Sequence, residues 1–557
     1  WWCREDCAPL LPGLPWHRLR RPRELPPGIV AKDNRHRTVA RLEHPRGPDL
    51  PGFYVKRHKF PRTGDRVKHL LVPWRLRREW TMGRQLRAEG VPTPRPVAYG
   101  ERWRGLLPRE AFYITREVAG TVSLKQVAAG GDDDDGTTTA MVSAARLTAE
   151  LANHGLYHMD YHAENILLRR AAPDRMPFIM DLHDMRRRRV TRGRMREMLA
   201  TLAHSLELRD GDAGPWRLFV RTLLQRWNPA EGATDEAVSR WCTRVDTRRR
   251  RMERGRLRSR TRRCVVESTT YTRDATDDFR IYRRRDMPVD VARRVVDRHR
   301  RTVKGSTDGG ELILDDGDGA TTLVPCAAVP DLEAHRPTPP ENRKPGRLSV
   351  RSYPFPGLAG RLADRLWPCS PGMRAWLALQ GFAVRGLSAP LPVALVRNRG
   401  PFGGGGDYVI MEGLEEGATL LEVARDKPGA HLRRELAWRV GEMLRGLERE
   451  QVDHPELGPQ NILAWRRGGS LMVGPADMSR ARFESRGGRE RLLQWLSQLD
   501  AGLPESVPPL DRLRCLRACN GGRWSRHEEV EIARRVMRDR RKCLDEGGLG
   551  RSGRAHA

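Results

Sequence analysis

No stretch of this 557-residue chain approaches the roughly 18–20 uninterrupted apolar residues of a membrane span, and the mean hydropathy is −0.66, so any membrane contact has to be peripheral. Cysteine is sparse and unpaired in pattern: nine residues, an odd number, with no CxxC. Cys3/Cys7 and Cys515/Cys519 lack the partner spacing of a zinc knuckle, so free thiols, no structural metal and a reducing, cytoplasmic setting are expected. The Arg- and Pro-rich opening has no apolar core of signal-peptide length, and a chain that begins at Trp1 reads as a fragment or as one whose true start is unseen. Collagen, disulfide miniproteins and membrane bundles are thereby excluded. At roughly 100–200 residues per domain, the length allows about three domains.

Arginine is what the chain has in excess. Lys+Arg number 103 against 71 Asp+Glu, for a formal net charge of +32 and a pI near 10.9. The excess is carried almost wholly by arginine, in runs such as Arg186–Arg189, Arg248–Arg251, Arg260–Arg263 and Arg283–Arg285. Such runs are ordinarily solvated surface, but clustered guanidiniums also attract polyanions by releasing counterions or by sitting against lipid headgroups. No helix-turn-helix, zinc-finger or aromatic RNA-binding motif accompanies them, which favours an anionic membrane surface or a phosphorylated glycan over nucleic acid.

Along the chain, Gly28–Ala31 and Thr38–Leu42 suggest a strand pair, and Phe53–Lys56 a further strand. Leu76–Ala88 has the composition of a helix stopped by Gly90 and Pro92. Phe112–Glu117 reads as a strand, the acidic Gly130–Gly136 as an exposed loop, and Thr138–His154, Arg192–Leu208 and Pro215–Trp227 as helices. Past Ala230 the pattern loosens, with Asp290–Arg301 a helix, Leu312–Asp315 a strand and Arg336–Arg347 a linker by composition.

An internal repeat organises the whole. His158-Met-Asp-Tyr-His-Ala-Glu-Asn-Ile-Leu returns as His454-Pro-Glu-Leu-Gly-Pro-Gln-Asn-Ile-Leu, 296 residues later. Asp181 and Asp477, Trp80 and Trp376, and Gly90 and Gly386 keep that offset, while Val55-Lys56 with Val350-Arg351 and Glu117 with Glu412 differ from it by one. The expected organisation is two tandem copies of one α+β domain. Domain one spans 35–235 after an Arg/Pro-rich segment 1–34. A basic linker 236–346 follows, in which Arg263–Arg285 and Glu311–Pro325 could supply strands to domain two at 347–544, and 545–557 is a disordered tail.

The repeated motif carries phosphotransfer chemistry. His-x-Asp, four residues, Asn, then an apolar strand ending in Asp is the catalytic segment of kinase-like enzymes. Ile166-Leu-Leu and Pro177-Phe-Ile-Met flank a polar turn, so a hairpin returns Asp181 to Asn165. Two oxygen ligands on adjacent strand ends suit Mg²⁺ bridging ATP phosphates, and Asp160 can accept the proton of an attacking hydroxyl. His158 would pack behind the loop and hold its backbone. Lys56 would contact the phosphates, with Glu79 fixing it through an ion pair. No Gly-x-Gly-x-x-Gly loop precedes Lys56, and Arg35–His44 lacks glycine altogether, so phosphate coverage must differ from that of ordinary protein kinases.

The first copy resembles the lipopolysaccharide core kinases, the heptose and Kdo kinases. The matching text is Tyr54-Val-Lys-Arg-His-Lys-Phe, Arg78-Glu-Trp, Gly90-Val-Pro-Thr-Pro-Arg-Pro, Thr115-Arg-Glu-Val-Ala-Gly, His158-Met-Asp and Ile179-Met-Asp-Leu-His, over about residues 35–225. Met159 departs from the Arg that is frequent there. The resemblance implies an α+β fold of two tandem bilobal protein-kinase-like domains, each with a small β-rich lobe and a larger helical one. It also implies Mg-ATP as cofactor, Lys56 and Glu117 as nucleotide-contacting positions, and a sugar-hydroxyl acceptor on a membrane-embedded glycolipid. It further implies work in the cytoplasm, peripheral to the cytoplasmic face of the inner membrane. Copy two is similar but altered where chemistry lives: Lys56 becomes Arg351, Glu79 becomes Ala375 and Asp160 becomes Glu456, while Asn461 and Asp477 remain. Arginine lacks the compact ammonium of lysine, Ala375 cannot pair with it, and Glu456 is a methylene too long, so an accessory pseudokinase that binds metal or nucleotide without turnover is expected, with weak catalysis as the alternative. Two competing readings are a phosphotransferase for a protein or small-molecule hydroxyl, and a silent kinase-like scaffold that binds anionic surfaces.

Overall fold

Side-chain alternation builds the first sheet. In β3 (Arg37–Leu42), Thr38, Ala40 and Leu42 are buried while Arg37, Val39 and Arg41 lie outward, and β4 (Phe53–Lys59) opens with the same period of two. With β1 (Trp2–Cys3), β2 (Val30–Asp33), β5 (Pro96–Arg104) and β6 (Leu107–Arg116) they form an antiparallel sheet in the order β1-β5-β6-β4-β3-β2. This is a computed structural model describing residues 2–10, 12, 29–33, 36–45, 47, 49–60, 75–131, 134–170, 175–208, 213–276, 278–306, 310–315, 319–325, 347–354, 370–398, 406–483 and 488–550. The chain divides into two compact units, Trp1–Glu253 and Arg254–Ala557.

In the first unit one face of the sheet buries Ala40, Phe53, Val55, Phe112 and Ile114. The other takes the helix Arg75–Ala88, whose Leu76 and Trp80 pack with Tyr99, Ala111 and Tyr113. Gly83 allows this approach, since a Cβ there would sit 2.8 Å from Pro96 Cγ. The same helix face carries buried Glu79, and Gly90 at φ 80° ends the helical segment. The helices Asp134–Asn153, Arg192–Ser205 and Ala213–Trp227 enclose a second core around Ala144, Leu147, Leu151, Leu199, Phe219 and Leu223.

Two sequence expectations give way here. Gly130–Gly136 is not one exposed loop: Asp134 and Asp135 begin the long helix, Gly136 is buried, and residues 132–133 lie outside the described set. The stretch after Ala230 is not loose either, because Asp235–Thr261 is a 27-residue helix. Its apolar stripe is short, with Ala237, Val238, Trp241 and Val245 buried before arginine dominates, so the periodic signal is drowned by charge.

The second unit has a seven-stranded antiparallel sheet in the order Tyr271–Ala275, Phe279–Arg284, Pro392–Asn398, Asp407–Glu412, Arg347–Tyr353, Ala320–Pro325, Glu311–Asp315. The segment 236–346 therefore does more than link. Four of its strands join this sheet, and its helix Val289–Val303 buries Val291, Val295 and Val296 against it. Residues 326–346, which include most of the expected linker Arg336–Arg347, lie outside the described set. Pro371–Arg385 packs Ala375, Trp376, Leu379 and Phe382 into another core of this unit, with Ala430–Arg449, Gly488–Gly502 and Pro509–Asn520.

Candidate active site

Three elements of the first unit converge on Asp181. Lys56, in the middle of β4, places Nζ 2.8 Å from Asp181 Oδ1 and donates to Glu79 Oε1 on the helix. Arg37, at the start of β3, donates from Nη2 to the same Asp181 oxygen at 3.3 Å. The hairpin of Ile166–Arg169 with Pro177–Ile179 delivers Asp181, and the Met180 amide donates to Asn165 O at 2.9 Å. Thr93 Oγ1 donates to Ile179 O at 2.8 Å and ties the hairpin to the segment after the helix. Asp181 has φ 56° and ψ 49°, a left-handed conformation that Asp adopts more readily than most residues.

Burial alone would raise the Asp181 carboxyl, but the hydrogen bond from His183 and the charges of Lys56 and Arg37 hold it far below the usual range, so it stays ionised. Glu79 Oε2 is buried and accepts no hydrogen bond. Burial lowers His158 to about 4, so the neutral imidazole accepts from the Asp160 amide at Nδ1 (3.2 Å) and lies 3.3 Å from Met180 O at Nε2. It thus staples the loop to the hairpin. Asp160 is half exposed, with its carboxylate 3.4 Å from His162 Nε2; that contact lowers the Asp160 carboxyl and raises the imidazole. Asn165 is buried and donates through Nδ2 to Asp160 O at 3.0 Å, which leaves Oδ1 as its available oxygen.

Lys56, Glu79, Asp160, Asn165, Asp181 and His158 are therefore neighbours. Glu117 is not in this cluster: its carboxylate takes a paired contact from Arg41 (2.7 and 3.0 Å) and the Gly52 amide (3.1 Å). Three participants were missed. Arg37 lies in the very segment noted for lacking glycine, His183 replaces the glycine of Asp-Phe-Gly and sits 3.3 Å from Asp181 and 3.1 Å from Asp184, and His162 touches both Asp160 and Asn165.

The oxygen donors of Asn165 and Asp181 suit a hard divalent cation such as Mg²⁺. Glu79, Asp181 and His183 also bring ligand atoms within 4.8 Å of one another, but the Lys56 ammonium already sits on both carboxylates and compensates their charge.

The corresponding residues of the second unit are arranged differently. Arg351 is buried, donates to Thr321 Oγ1 at 3.2 Å and lies over the Tyr353 ring. Ala375 offers no carboxylate. Arg480 pairs with Glu456 at 2.7 Å and with Asp477 at 3.2 Å, while Asp477 caps the turn by accepting from the Ser479 amide. The Ala476 amide donates to Asn461 O at 2.9 Å, and His454 Nε2 lies 2.8 Å from Asp477 O.

A curated relative, the lipopolysaccharide core heptose(I) kinase WaaP of Pseudomonas aeruginosa, is 29% identical over 192 residues, covering 32% of this chain and 71% of that protein. A solved structure of WaaP in complex with acyl carrier protein aligns at 23% identity over 42% of this chain and 96% of that one, with a TM-score of 0.30. Residues 30–222, which contain the Asp181 cluster, match the model of the Lipopolysaccharide kinase (Kdo/WaaP) family. Over that segment the chain is similar to the lipopolysaccharide kinase (Kdo/WaaP) family, and this likeness indicates a kinase, an ATP-dependent phosphotransferase.

Proposed function

We propose that the first unit phosphorylates a sugar hydroxyl of the lipopolysaccharide inner core, a heptose or Kdo, at an anionic membrane surface on the cytoplasmic side. The convergence of Lys56, Glu79, Asp160, Asn165 and Asp181 carries this reading, together with the family match and the heptose kinase among its relatives. Asn165 Oδ1 and Asp181 would hold Mg²⁺, which when bound neutralises phosphate charge as it develops. Lys56 moves from Asp181 onto a phosphate oxygen, with Glu79 keeping the ammonium aligned. Asp160 accepts the acceptor hydroxyl's proton as that oxygen bonds to the γ-phosphorus and the bridging oxygen leaves with ADP. Arg37 stands where a glycine-rich loop would otherwise supply amides, and its guanidinium is suited to phosphate oxygens.

The second unit is read as a kinase-like domain that has lost turnover. The supporting observation is Arg480, which contacts both carboxylates of the corresponding site. Its role is accessory, supporting the first unit or binding acceptor.

The test is Mg-dependent transfer of labelled γ-phosphate from ATP to unphosphorylated lipopolysaccharide core. Transfer abolished by Asp160→Asn and retained by Glu456→Gln is the expected result. ATP binding without transfer to the core in any form would overturn the glycolipid assignment.

A further inference from the structure

The β5–β6 hairpin of the first unit ends in an exposed apolar tip. Gly105 at φ 58° occupies the first central position of a two-residue turn, where a positive φ is needed, and this puts Leu106 at the apex. Leu106 is 88% exposed, and Trp103, at a register shift just before the turn, is 45% exposed. Hairpin turns are ordinarily polar, and neither side chain contributes its full area to the core beneath. Trp103 Nε1 donates to Glu101 Oε2 at 3.0 Å, which fixes the indole.

The surroundings are cationic. Arg57, Lys59, Arg102, Arg104 and Arg109 line a depression of about 620 Å³ beside Trp103. Glu110, buried in its floor, takes Arg57 at 2.6 Å and Arg102 at 3.1 Å, and Asp33 takes Lys59 at 2.6 Å. Among the described residues, and counting Glu101, five cations face three carboxylates. An indole and a leucine at a tip, ringed by long side chains that can keep their charge in water while their stems enter an apolar layer, are the chemistry of a bilayer interface.

We propose that this hairpin docks the protein on an anionic phospholipid surface, with Leu106 and Trp103 entering the headgroup–acyl boundary and the basic depression taking lipid phosphates. Among the described residues no helix is long and apolar enough to cross a membrane, so contact of this kind is peripheral. Tyr113, the β6 partner of Lys56, lies six residues or more from the turn, about 20 Å along the strand. The tip can thus be altered without touching the catalytic cluster. The inference deepens the reading of a membrane-held acceptor by naming the docking element.

The test is co-sedimentation of the full chain with vesicles of phosphatidylcholine alone or with about one third phosphatidylglycerol, free of any acceptor sugar, so that failure of the kinase assignment would leave the result unaffected. Wild type is expected to bind the anionic vesicles and to be released by salt. Trp103→Ser with Leu106→Ser, which keeps every arginine, should lower partitioning about tenfold or more, and Arg104→Gln with Arg109→Gln should weaken it by several-fold. Bromine-labelled acyl chains should quench wild-type tryptophan emission, and Trp103→Phe should lose that quenching while remaining bound. An unchanged melting temperature confirms that the variants fold. Failure of wild type to bind, or wild-type binding by the Trp103/Leu106 variant, would overturn the proposal, the latter assigning adsorption to net charge alone.

Discussion

Asp181 and Asp477 follow the same kind of hairpin and sit beside an asparagine whose carbonyl takes the preceding amide at 2.9 Å in both, yet their cations come from different places. Lys56 and Arg37 reach Asp181 from strands of the sheet. Arg480 reaches Asp477 from three residues along its own turn and ties it to Glu456. A cation supplied by the opposite element can leave the carboxylate and follow an entering triphosphate. One supplied by the same turn stays with the loop and opposes a divalent ion there. The backbone also differs: Asp181 is left-handed, whereas Asp477 is extended at φ −101° and caps its own turn. Retention of Asn and Asp in a motif thus does not fix which cation the carboxylate meets.

The largest expected effects separate the two sites outright. Asp160→Asn and Asp181→Asn should each lower phosphotransfer by about 10³-fold or more, because each removes a role made in the transition state, while Glu456→Gln and Asp477→Asn should change it by less than about twofold. Initial rates of labelled phosphate transfer measure this. A large loss from Asp477→Asn would erase the contrast.

Acid should expose a feature the units share. His158 is held neutral by burial with its pKa near 4, against an ordinary value of about 6.5, and burial lowers His454 as well. Between those values the unfolded chain binds a proton that the folded chain does not. The stability from His158 is therefore whole above pH 6.5 and is lost as pH falls toward 4, by on the order of 3 kcal/mol. Denaturant titration across that range should show the decline, and a flat profile would mean that His158 is not held neutral.

Arg37 tests whether a guanidinium stands in for the missing glycine loop. Arg37→Ala should raise KM for ATP about tenfold with a smaller fall in kcat, and Arg37→Lys should recover part of it. An unchanged KM would leave Arg37 as an ion-pair partner of Asp181 and nothing more.

Much of this was legible beforehand, and for one reason: strands of period two, a helix ended by Gly90 and a motif with fixed spacing are local signals. Lys56, Glu79, Asp160, Asn165 and Asp181 could be named because each sits at a set distance from a turn or strand end. Arg37 and His183 could not, since their contacts with Asp181 cross between elements or depend on its left-handed backbone. The helix Asp235–Thr261 was hidden by arginine, which favours helix but masks the short apolar stripe of Ala237, Val238, Trp241 and Val245. The strands between 271 and 325 became firm only through pairing with Pro392–Asn398 and Arg347–Tyr353, contacts too distant in sequence for a pattern to carry.

The smallest expected effect bears most directly on the contrast between the sites. Arg480 corresponds in the repeat to Asp184, so Arg480→Asp exchanges a cation for the acid that the first unit carries there. The exchange frees Glu456 and Asp477 and adds a third carboxylate nearby. Without a cation these like charges repel, which should lower the melting temperature by a few degrees. Millimolar Mg²⁺ should then restore it in the variant and have no such effect on the parent, with both proteins carrying Asp181→Asn so that the first unit does not contribute. Restoration would mean that the second site keeps the donors for a metal and is closed to it by one arginine. Absence of any Mg²⁺ response would place the loss in the extended backbone of Asp477, which turns its carboxylate into the Ser479 amide whatever residue 480 is.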